Sequence, residues 1–423
     1  MSYSPPGRTS RATVLYLLPQ PFFQPRGSSF RALATLEAIA GLGYQVDLLC
    51  FPLGADPKDK AFTIFRSGKP PFFASVPVGP SPRKLVFDIP LAWSARRLVR
   101  ANAYDVIHGV EEAGFIAGYL GRRYGVPYIF DMHSWMSQQL EDGNYLRSRF
   151  LLNRFKRLEL RAMARARAII TVGPEMTEVL KRLAPGVAAY SLPDSPLSFG
   201  ESATPELENT ITRRFFSQTR RTILYTGNFH PYQGIDLLIQ SIRQLKQRID
   251  GRFDFVLLLV GGSAAESRTV GRYRKMASDL GLEQEIVFCG EYPAEAMPAF
   301  MRRSDLLVSS RISGNNVPLK VYTYLASGTL LVATNIPSHT QVLNDGNCLL
   351  ADPEPEGLAR ALYRGLADIS VQERERIATA ARHIGAAEQH QAFKAIVQKC
   401  YEDCTRPPAA TATPAPDTTV RSE

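Results

Sequence analysis

The stretch LVSSRISGNNVPLKVYTYLASGTLLVAT, at residues 307–334, constrains the fold of this chain most strongly. An apolar run ends in a polar, glycine-containing loop, and Pro318 then suits a first helical turn because it lacks a backbone donor. The residues after it place apolar side chains on one helical face, and Gly328 suits a left-handed helix end before a second apolar run. The pattern predicts a strand–loop–helix–strand unit.

Two cationic residues flank the start of the predicted helix. The first turn of a helix offers free N–H groups and the positive end of the helix dipole to an anion. Arg311 and Lys320 would add full charges beside it. An ordinary β–α–β unit with a solvated arginine and lysine explains the same residues, so this stretch alone leaves both interpretations open.

Short apolar runs alternate with helical patterns in two parts of the chain. The runs TVLYLL, QVDLLCF, YDVIHGV, PYIFDMHS and AIITVG come first, and RTILYTG, FDFVLLLVGG and EIVFCG precede the stretch described above. Such alternation is typical of parallel sheets covered by helices on both faces, with ligand sites beyond the carboxyl ends of the strands. We predict an α/β protein with two doubly wound, Rossmann-like domains at 11–195 and 218–370, joined by a polar segment.

The size and composition agree with two domains. The chain has 423 residues, 45% of them hydrophobic, whereas a single core rarely grows past about 250–300 residues. No apolar run approaches the ~20 residues that span a bilayer, and the first residues, MSYSPPGRTSR, lack the apolar centre of a secretory signal. The five cysteines fit neither a disulfide framework nor a zinc site, so we expect a reduced, cytoplasmic protein. The net charge of +10 favours an anionic partner.

Several motifs resemble, in their order along the chain, those of the GT-B glycosyltransferases, and of glycosyltransferase family 4 above all. These are PQPFFQPRGSSFR, YGVP, TGNFHPYQGIDLLI, LVGG, VFCGEYP and PLKVYTYLASGTLLVATNIPSHTQVL. The resemblance implies two domains facing a cleft, with a nucleotide-sugar donor on the second and a glycan or lipid-linked hydroxyl acceptor on the first. It also implies a retaining transfer that needs neither a metal nor a cofactor, because backbone dipoles and cations neutralise the leaving diphosphate.

The same resemblance implies the site residues. The donor-binding positions are Gly27, Ser28, Gly227, Asn228, Gln233, Gly261, Gly262, Tyr292, Arg311, Lys320 and Thr323. The candidates for the chemical step are His133, Asp131 and Asn315, because the family places a histidine that lines the sugar site just after the strand PYIFD. Tyr292 is expected near the nucleobase and Thr323 near the ribose.

Other polar residues near strand ends allow two interpretations each. Gly27 and Ser28 form either a phosphate-facing loop or a simple turn with a serine cap. Glu112 is either a site carboxylate or one stabilised by a helix dipole, and the role of His339 is open. His108 lies inside an apolar run and is predicted to be buried and structural.

Four positions depart from the family pattern. Asn315 and Thr323 stand where the family has two glutamates, for the donor sugar and the ribose. Asn228 and Gln233 stand where it has an arginine and a lysine for the diphosphate. A carboxylate on a ribose gains charge-assisted hydrogen bonds of about 1.5–3 kcal/mol each, and threonine offers only weaker neutral ones. The two cations of the opening stretch would supply the missing positive charge.

These departures keep a second class of function open. An active transferase is the first hypothesis, and a catalytically silent GT-B protein that binds or scaffolds is the alternative. A nicotinamide-dependent oxidoreductase is disfavoured because no GxGxxG turn joins a predicted strand to a helix.

The family also implies a C-terminal crossover. A helix predicted at 371–403 would pack back on the N-terminal domain and form part of a hinge for cleft closure, which excludes water. The alternative is a helix that stays on the second domain. Residues 404–423 are too poor in large apolar side chains to fold, and we expect a disordered tail there.

Two stretches of the first domain are strongly basic. Residues 147–167 contain Arg147, Arg149, Arg154, Lys156, Arg157, Arg161, Arg165 and Arg167 against one acid, Glu159, with apolar residues between them. Residues 81–100 add basic residues beside Phe87 and Trp93. A helix with a solvated basic face explains the pattern, and so does peripheral docking on an anionic membrane, where each basic residue contributes about 1 kcal/mol. A nucleic-acid partner is disfavoured because no recognised motif accompanies the charge.

Overall fold

A computed structural model describes residues 12–23, 27–57, 60–71, 76, 82–142, 148–193, 203–262, 266–314, 317–385 and 387–406. The chain divides into two compact units. Unit 1 comprises Met1–Phe22, Leu36–Ser191 and Ile396–Glu423, and unit 2 comprises Phe23–Thr35 and Leu192–Ala395.

The described part of unit 1 is built on a parallel sheet. Its strands are β1 (Thr13–Pro21), β2 (Gln45–Phe51), β3 (Thr63–Arg66), β4 (Val106–Val110), β5 (Tyr128–Met132), β6 (Ala168–Thr171) and β7 (Ala188–Ser191), in the order β3-β2-β1-β4-β5-β6-β7. The helices of this half are α1 (Gly27–Gly41), of which residues 27–35 belong to unit 2, α2 (Pro82–Ala101), α3 (Ala113–Tyr124), α4 (Met136–Asp142), α5 (Arg149–Ala164) and α6 (Pro174–Leu183). The central strands β4 and β5 are buried along their whole length, which explains their nearly continuous apolar sequences.

A second parallel sheet forms the core of unit 2. Its described strands are β8 (Arg220–Thr226), β9 (Asp254–Val260), β10 (Ile286–Gly290), β11 (Leu306–Ser309), β12 (Leu331–Thr334) and β13 (Leu349–Ala351), in the order β10-β9-β8-β11-β12-β13. The helices are α7 (Pro205–Phe215), α8 (Ile235–Ile249), α9 (Ser267–Asp279), α10 (Met297–Arg303), α11 (Leu319–Ser327), α12 (Pro337–Thr340), α13 (Pro355–Tyr363), α14 (Val371–Gly385) and α15 (Ala387–Thr405). The last of these ends in unit 1, because unit 1 resumes at Ile396.

The predicted strand–loop–helix–strand unit is β11, α11 and β12. Pro318 lies immediately before α11 rather than in its first turn, and Gly328 ends the helix with φ +71°. The hydroxyl of Tyr324 fixes the helix to β8, since it accepts a hydrogen bond from the backbone N–H of Thr226 at 2.7 Å. The Thr226 hydroxyl lies 2.9 Å from the same oxygen. This junction places the start of α11 at the carboxyl end of β8.

The α/β fold with parallel sheets is confirmed, and three short strands were not predicted. Strands β3 and β7 are mostly half-buried, and β13 has only three residues, so none produces a strong apolar run. Short strands at sheet edges bury one face poorly, and hydrophobic patterning is correspondingly weak there.

Two expectations about the connections were wrong. The polar segment before β8 is not merely a linker, because it contains α7, whose Ile211 is fully buried in a core of unit 2. The single helix expected at 371–403 is two helices. The first, α14, buries Ile377 and Ala381 in cores of unit 2, and the second runs on to Thr405. The expected tail therefore begins later than 404, and residues 407–423 lie outside the described residues.

Within the described ranges, no helix has both the length and the apolar character needed to cross a bilayer.

The Tyr324 junction gives a test of how unit 2 is held together. Replacing Tyr324 by Phe leaves the buried N–H of Thr226 without its acceptor. We expect the free energy of unfolding to fall by about 1–3 kcal/mol, the penalty for an unsatisfied buried group. Urea denaturation measures this change.

Tyr363→Phe is the matched control, because the Tyr363 hydroxyl only accepts a hydrogen bond from the exposed side chain of Arg252. Its expected effect is below about 0.5 kcal/mol, typical of surface substitutions. Equal losses in the two variants would contradict the proposed role of the Tyr324 hydroxyl.

Candidate functional site

Three neighbouring strands of the second sheet end in glycines with positive φ. The values are +137° at Gly227, +130° at Gly261 and +80° at Gly290. The backbones meet so closely that a Cβ on Gly261 would stand 1.9 Å from the carbonyl oxygen of Gly227. Gly262 is also confined, since a Cβ there would lie 2.8 Å from Val270. At these positions the carboxyl ends of β8, β9 and β10 therefore carry backbone without a side chain, at the edge where parallel sheets bind their ligands.

Lys320, in the first turn of α11, reaches this glycine-lined edge. Its Nζ lies 3.3 Å from the carbonyl oxygen of Thr226 and 3.9 Å from the centre of the Tyr225 ring. A Cβ on Gly227 would stand 3.4 Å from the same nitrogen. The ammonium group is thus held by a carbonyl and an aromatic face, both of which tolerate a cation.

Arg311 supplies a second cation next to the first. It follows β11 by two residues, and its guanidinium packs over the ring of Tyr232 at 5.2 Å. Burial lowers the pKa of Arg311, and burial together with repulsion by Arg311 lowers the pKa of Lys320 well below its ordinary value. Among the residues that the structure describes, no carboxylate forms an ion pair with Lys320. Two partly desolvated cations that repel one another favour the binding of an anion.

The remaining predicted donor residues of unit 2 lie in different surroundings. Asn228 is exposed, and its carbonyl oxygen accepts the Tyr225 hydroxyl at 2.8 Å. Gln233 is 7% exposed, and its side-chain oxygen has no hydrogen-bond partner among the described residues. Its carbonyl oxygen accepts the hydroxyl of Ser310, the residue before Arg311. The backbone of Gln233 therefore lies next to the residue that precedes Arg311.

Thr323 and Tyr292 are less open to a ligand than the sequence suggested. Thr323 is 5% exposed, and its hydroxyl donates to the carbonyl oxygen of Leu319 in its own helix at 3.4 Å. The ring of Tyr292 packs edge-on against Phe300 at 5.1 Å and Phe215 at 5.9 Å. Their predicted contacts with the ribose and the nucleobase stay predictions.

The last predicted residues of this group are Gly27, Ser28 and Asn315. Gly27 and Ser28 are the first residues of α1, in the segment that is part of unit 2. A Cβ on Gly27 would lie 3.9 Å from the Leu319 side chain, so Gly27 lies near the start of α11. Asn315 lies outside the described residues.

His339 is a buried anchor rather than a ligand-facing group. Its Nδ1 lies 2.8 Å from the carbonyl oxygen of Thr334, and its Nε2 lies 2.9 Å from the Ser309 hydroxyl. Because a carbonyl only accepts, Nδ1 carries the proton and Nε2 accepts from the serine. Burial lowers the pKa of His339 to about 4, and the charges of Lys320 and Arg311 add to that effect. A neutral imidazole thus ties the ends of β11 and β12 together.

Unit 1 places a second cluster of polar groups at the carboxyl ends of β4 and β5. Nε2 of His133 lies 3.5 Å from Oδ1 of Asp131, and Nδ1 lies 3.8 Å from Oε1 of Glu111. Asp131 is fully buried, and its other oxygen lies 3.3 Å from Nε2 of His108. The structure therefore brings together the predicted pair His133 and Asp131, with a carboxylate on each side of the His133 ring.

Glu111 is the residue of this cluster that the sequence did not reveal. It adopts a left-handed backbone conformation, φ +49°, which is rare for glutamate. Its N–H donates to the carbonyl oxygen of Asp131 at 2.8 Å, and its carboxylate accepts the Ser134 hydroxyl at 3.3 Å. Burial raises the pKa of Glu111 to about 7, although His133 opposes the shift. The adjacent Glu112 instead forms an ion pair with Lys84 of α2.

Two family models match the chain, one in each half. Residues 25–188 match the family model for glycosyltransferase family 4, and residues 220–368 match the model described as glycosyl transferases group 1. Among solved structures, that of Anabaena HepE in complex with UDP and glucose is similar, with a TM-score of 0.68 and 16% identity. The superposition covers 93% of this chain and 99% of that one, and it shows that the fold is shared.

The curated relatives have low sequence identity to this chain. The chain is 24% identical over 277 residues to the putative glycosyltransferase YtcC of Bacillus subtilis, covering 64% of this chain and 66% of the relative. It is also 24% identical over 281 residues to the D-inositol 3-phosphate glycosyltransferase of Acidothermus cellulolyticus, covering 62% and 59% respectively. The chain thus spans less than two thirds of the length of these relatives.

The low pKa of His339 predicts a pH dependence of stability. Its ordinary pKa is 6.5 and its folded value about 4, so between these pH values the unfolded chain binds the additional proton. The free energy of unfolding should therefore fall as the pH drops through this window, by up to ~1.4 kcal/mol per pH unit, and the contribution is complete above it. Urea denaturation of the wild type and His339→Gln at a series of pH values measures the difference.

Glu111 acts with the opposite sign, because its raised pKa means that its contribution is lost as pH rises towards 7. It is unchanged in the variant, so it cancels from the difference between the two proteins. His383→Gln, at an exposed histidine of α14, is the control and should keep the wild-type slope. Parallel pH profiles for the wild type and His339→Gln would show that the imidazole is not buried in its neutral form.

Proposed function

Because the chain belongs to the group 1 glycosyltransferases of the GT-B fold, we propose that it transfers a sugar from a nucleoside diphosphate donor to a hydroxyl acceptor. The observation that carries the proposal is the pair Lys320 and Arg311 at the glycine-lined edge of the second sheet. Burial lowers the pKa of both residues, and Arg311 lowers that of Lys320 further, so a diphosphate would stabilise the two charges more than a neutral ligand would.

The start of α11 would hold the leaving diphosphate. No side chain caps this helix, so the N–H groups of its first turn are not satisfied by a capping side chain. The helix dipole adds to the full charges of the two cations. In a partly desolvated setting these interactions strengthen as negative charge develops on the leaving group, which is what lowers the barrier for glycosyl transfer.

The replacement of the family's diphosphate-binding residues also supports the proposal. Asn228 and Gln233 are neutral, but the Lys320 ammonium lies beside Gly227, directly before Asn228. The cation therefore comes to the end of β8 from α11 instead of from the loop that follows β8. We propose that this exchange preserves the charge at the diphosphate and keeps the transfer retaining and independent of a metal.

The cluster of unit 1 would face the sugar and its acceptor. His133 is half-buried at the carboxyl end of β5, with its Nε2 3.5 Å from Oδ1 of Asp131. An imidazole flanked by carboxylates is well suited to donate hydrogen bonds to sugar hydroxyls. The acceptor would be a hydroxyl of a glycan or of a lipid-linked sugar, used on the cytoplasmic side of the membrane.

One observation favours the alternative of a catalytically silent binding protein. The Thr323 hydroxyl is engaged within its own helix and Thr323 is buried, so it replaces the family's ribose-binding glutamate poorly. A protein that binds a nucleotide without turnover would show this pattern.

A panel of nucleotide-sugars tests the reaction, with release of nucleoside diphosphate as the readout. We expect turnover with at least one donor, and we expect Lys320→Ala to weaken nucleoside diphosphate binding by at least tenfold, or about 1.4 kcal/mol. Binding of the nucleoside alone should change little, because it lacks the diphosphate. Isothermal titration calorimetry with both ligands measures the two affinities.

Lys275→Ala is the control for general loss of charge, since Lys275 lies in unit 2 but pairs with Asp279 on the surface. Measurable nucleotide binding without any turnover across the panel would favour the silent protein. Equal losses of nucleoside and nucleoside diphosphate affinity in Lys320→Ala would remove Lys320 from the diphosphate site.

The exposed side chains of α2 and α5, here called the docking surface, support a further proposal, peripheral docking on an anionic membrane. The exposed apolar residues are Leu85, Ile89, Trp93, Phe150, Leu151 and Leu158. The exposed cations are Arg96, Arg97, Arg100, Arg149, Arg154, Arg157 and Arg161. Large apolar side chains interspersed with arginines along a helix suit the boundary between lipid headgroups and acyl chains.

The structure also separates this docking surface from the buried faces of the same helices. Phe87, Leu152 and Met163 lie in the core of unit 1, and Glu159 is buried, where it accepts the N–H of Met136. Part of the basic pattern is therefore an ordinary amphipathic helix. Arg147 lies outside the described residues.

Sedimentation with vesicles tests the docking surface. The combined variant Arg154→Gln, Arg157→Gln and Arg161→Gln should weaken binding to phosphatidylserine vesicles by about 3 kcal/mol, at ~1 kcal/mol for each residue. High salt should have the same effect on the wild type, because it screens the attraction.

The control variant carries the same three substitutions at Arg243, Arg268 and Arg360, which are exposed cations of unit 2. The control variant has the same net charge as the variant at 154, 157 and 161. It should nevertheless bind the vesicles as tightly as the wild type does. If the wild type does not sediment with anionic vesicles at low salt, docking on a membrane is wrong.

A further inference from the structure

The end of α15 reaches a histidine in the middle of the first sheet. The hydroxyl of Tyr401 lies 2.8 Å from Nδ1 of His108, and the side chains of both residues are completely buried. This part of α15 belongs to unit 1, and the carbonyl oxygen of Asp403 there accepts a hydrogen bond from Arg167 at 3.2 Å. The last turns of the chain are thus fixed against β4 and its neighbours.

The hydrogen bonds of His108 have a definite direction. An ionised Asp131 only accepts, so the His108 nitrogen that faces it, Nε2, carries the proton at 3.3 Å from Oδ2. In the neutral ring Nδ1 is then an acceptor, and its donor is the Tyr401 hydroxyl. Burial raises the pKa of Tyr401 well above its ordinary value, so the phenol keeps the proton that it donates.

The second oxygen of Asp131 continues the sequence of contacts. Oδ1 faces Nε2 of His133 at 3.5 Å, and the opposite nitrogen of that ring faces Glu111 at 3.8 Å. The contacts therefore run from the phenol of Tyr401 through His108 and Asp131 to His133. A change at Tyr401 alters the strength of the hydrogen bond between His108 and Oδ2 of Asp131. It thereby alters how strong a hydrogen-bond acceptor the other oxygen, Oδ1, is for His133.

We propose that Tyr401 is a positioning residue that acts through His108 and Asp131 on the orientation and protonation of His133. The inference rests on the proposed function, in which His133 faces the sugar. It gives a role to a residue near the end of the chain, far in sequence from the strands that it supports.

Packing alone does not account for the Tyr401 hydroxyl. The ring of His108 is already stacked on Tyr16 at 4.3 Å, and the ring of Tyr401 meets that of Tyr44 edge-on at 5.3 Å. A phenylalanine at 401 would keep these ring contacts. The hydroxyl is the only part of Tyr401 that donates a hydrogen bond to His108, so its removal isolates the positioning role.

The experiment compares Tyr401→Phe with the wild type by ¹⁵N NMR of labelled histidine and by steady-state kinetics. We expect the wild type to hold His108 as the Nε2–H tautomer. In the variant Nε2 should keep its proton towards Asp131, but the Nδ1 signal should move to the frequency of an acceptor that has lost its donor. The His133 signals should shift, and kcat should fall about tenfold, of the order of one buried hydrogen bond. KM for the donor should be unchanged. The chain has six histidines, so single substitutions assign every signal.

Tyr44→Phe is the matched control. Tyr44 touches the same helix, and its hydroxyl lies 3.4 Å from that of Thr405, but it has no part in the contacts with His108. We expect wild-type imidazole signals and wild-type kcat. Equal losses in both variants would mean that the helix contributes by packing, and would overturn the proposal.

The NMR measurements also separate this proposal from the proposed function. If no donor is turned over, a shifted His133 signal in Tyr401→Phe still supports the positioning role, and only the reaction is wrong. An Nδ1–H tautomer of His108 in the wild type overturns the positioning role without any variant. Unchanged imidazole signals in Tyr401→Phe overturn it as well.

Discussion

A Cβ on Gly261 would stand 1.9 Å from the carbonyl oxygen of Gly227, and this steric constraint shapes the whole edge of the second sheet. Because only glycine fits there, the ends of β8 and β9 expose backbone instead of side chains. That leaves room for Lys320, whose ammonium occupies the space next to Gly227. The position of α11, fixed by the Tyr324 hydroxyl on Thr226, then decides where the cation lies.

Holding a cation at this edge has an electrostatic cost. Burial and Arg311 both lower the pKa of Lys320, which means that the folded protein favours the charged form less than water does. The diphosphate that we propose as the ligand would reverse this effect, since its negative charge would stabilise both cations at once. Its binding would relieve the repulsion between Arg311 and Lys320, and it should be accompanied by proton uptake wherever Lys320 is partly neutral.

The sequence predicted the parts of the fold whose signal is hydrophobic and local. The long buried strands and the β11–α11–β12 unit follow from apolar runs, a proline and a glycine. It could not predict α7, because that helix buries one fully enclosed residue, Ile211, within an otherwise polar segment. Nor could it predict Glu111, since its left-handed backbone depends on contacts with Asp131, which is distant along the chain. The sequence indicated Lys320 as a candidate because charge at a helix start is a local pattern, and its contact with a diphosphate stays a prediction.

Each unit places charged groups at the carboxyl ends of parallel strands, but the sign differs: cations in unit 2 and carboxylates in unit 1. Unit 2 places Arg311 near Lys320, and no carboxylate among the described residues forms an ion pair with Lys320, which is why we propose an anionic ligand there. Unit 1 surrounds an imidazole with carboxylates, and burial raises the pKa of Glu111 to about 7 while His133 opposes the rise. A proton on His133 and one on Glu111 are therefore linked, because each charge stabilises the other. Hydrogen bonds from this cluster to a sugar would change with pH near neutrality, which ties the chemistry of unit 1 to the same balance of burial and charge that operates in unit 2.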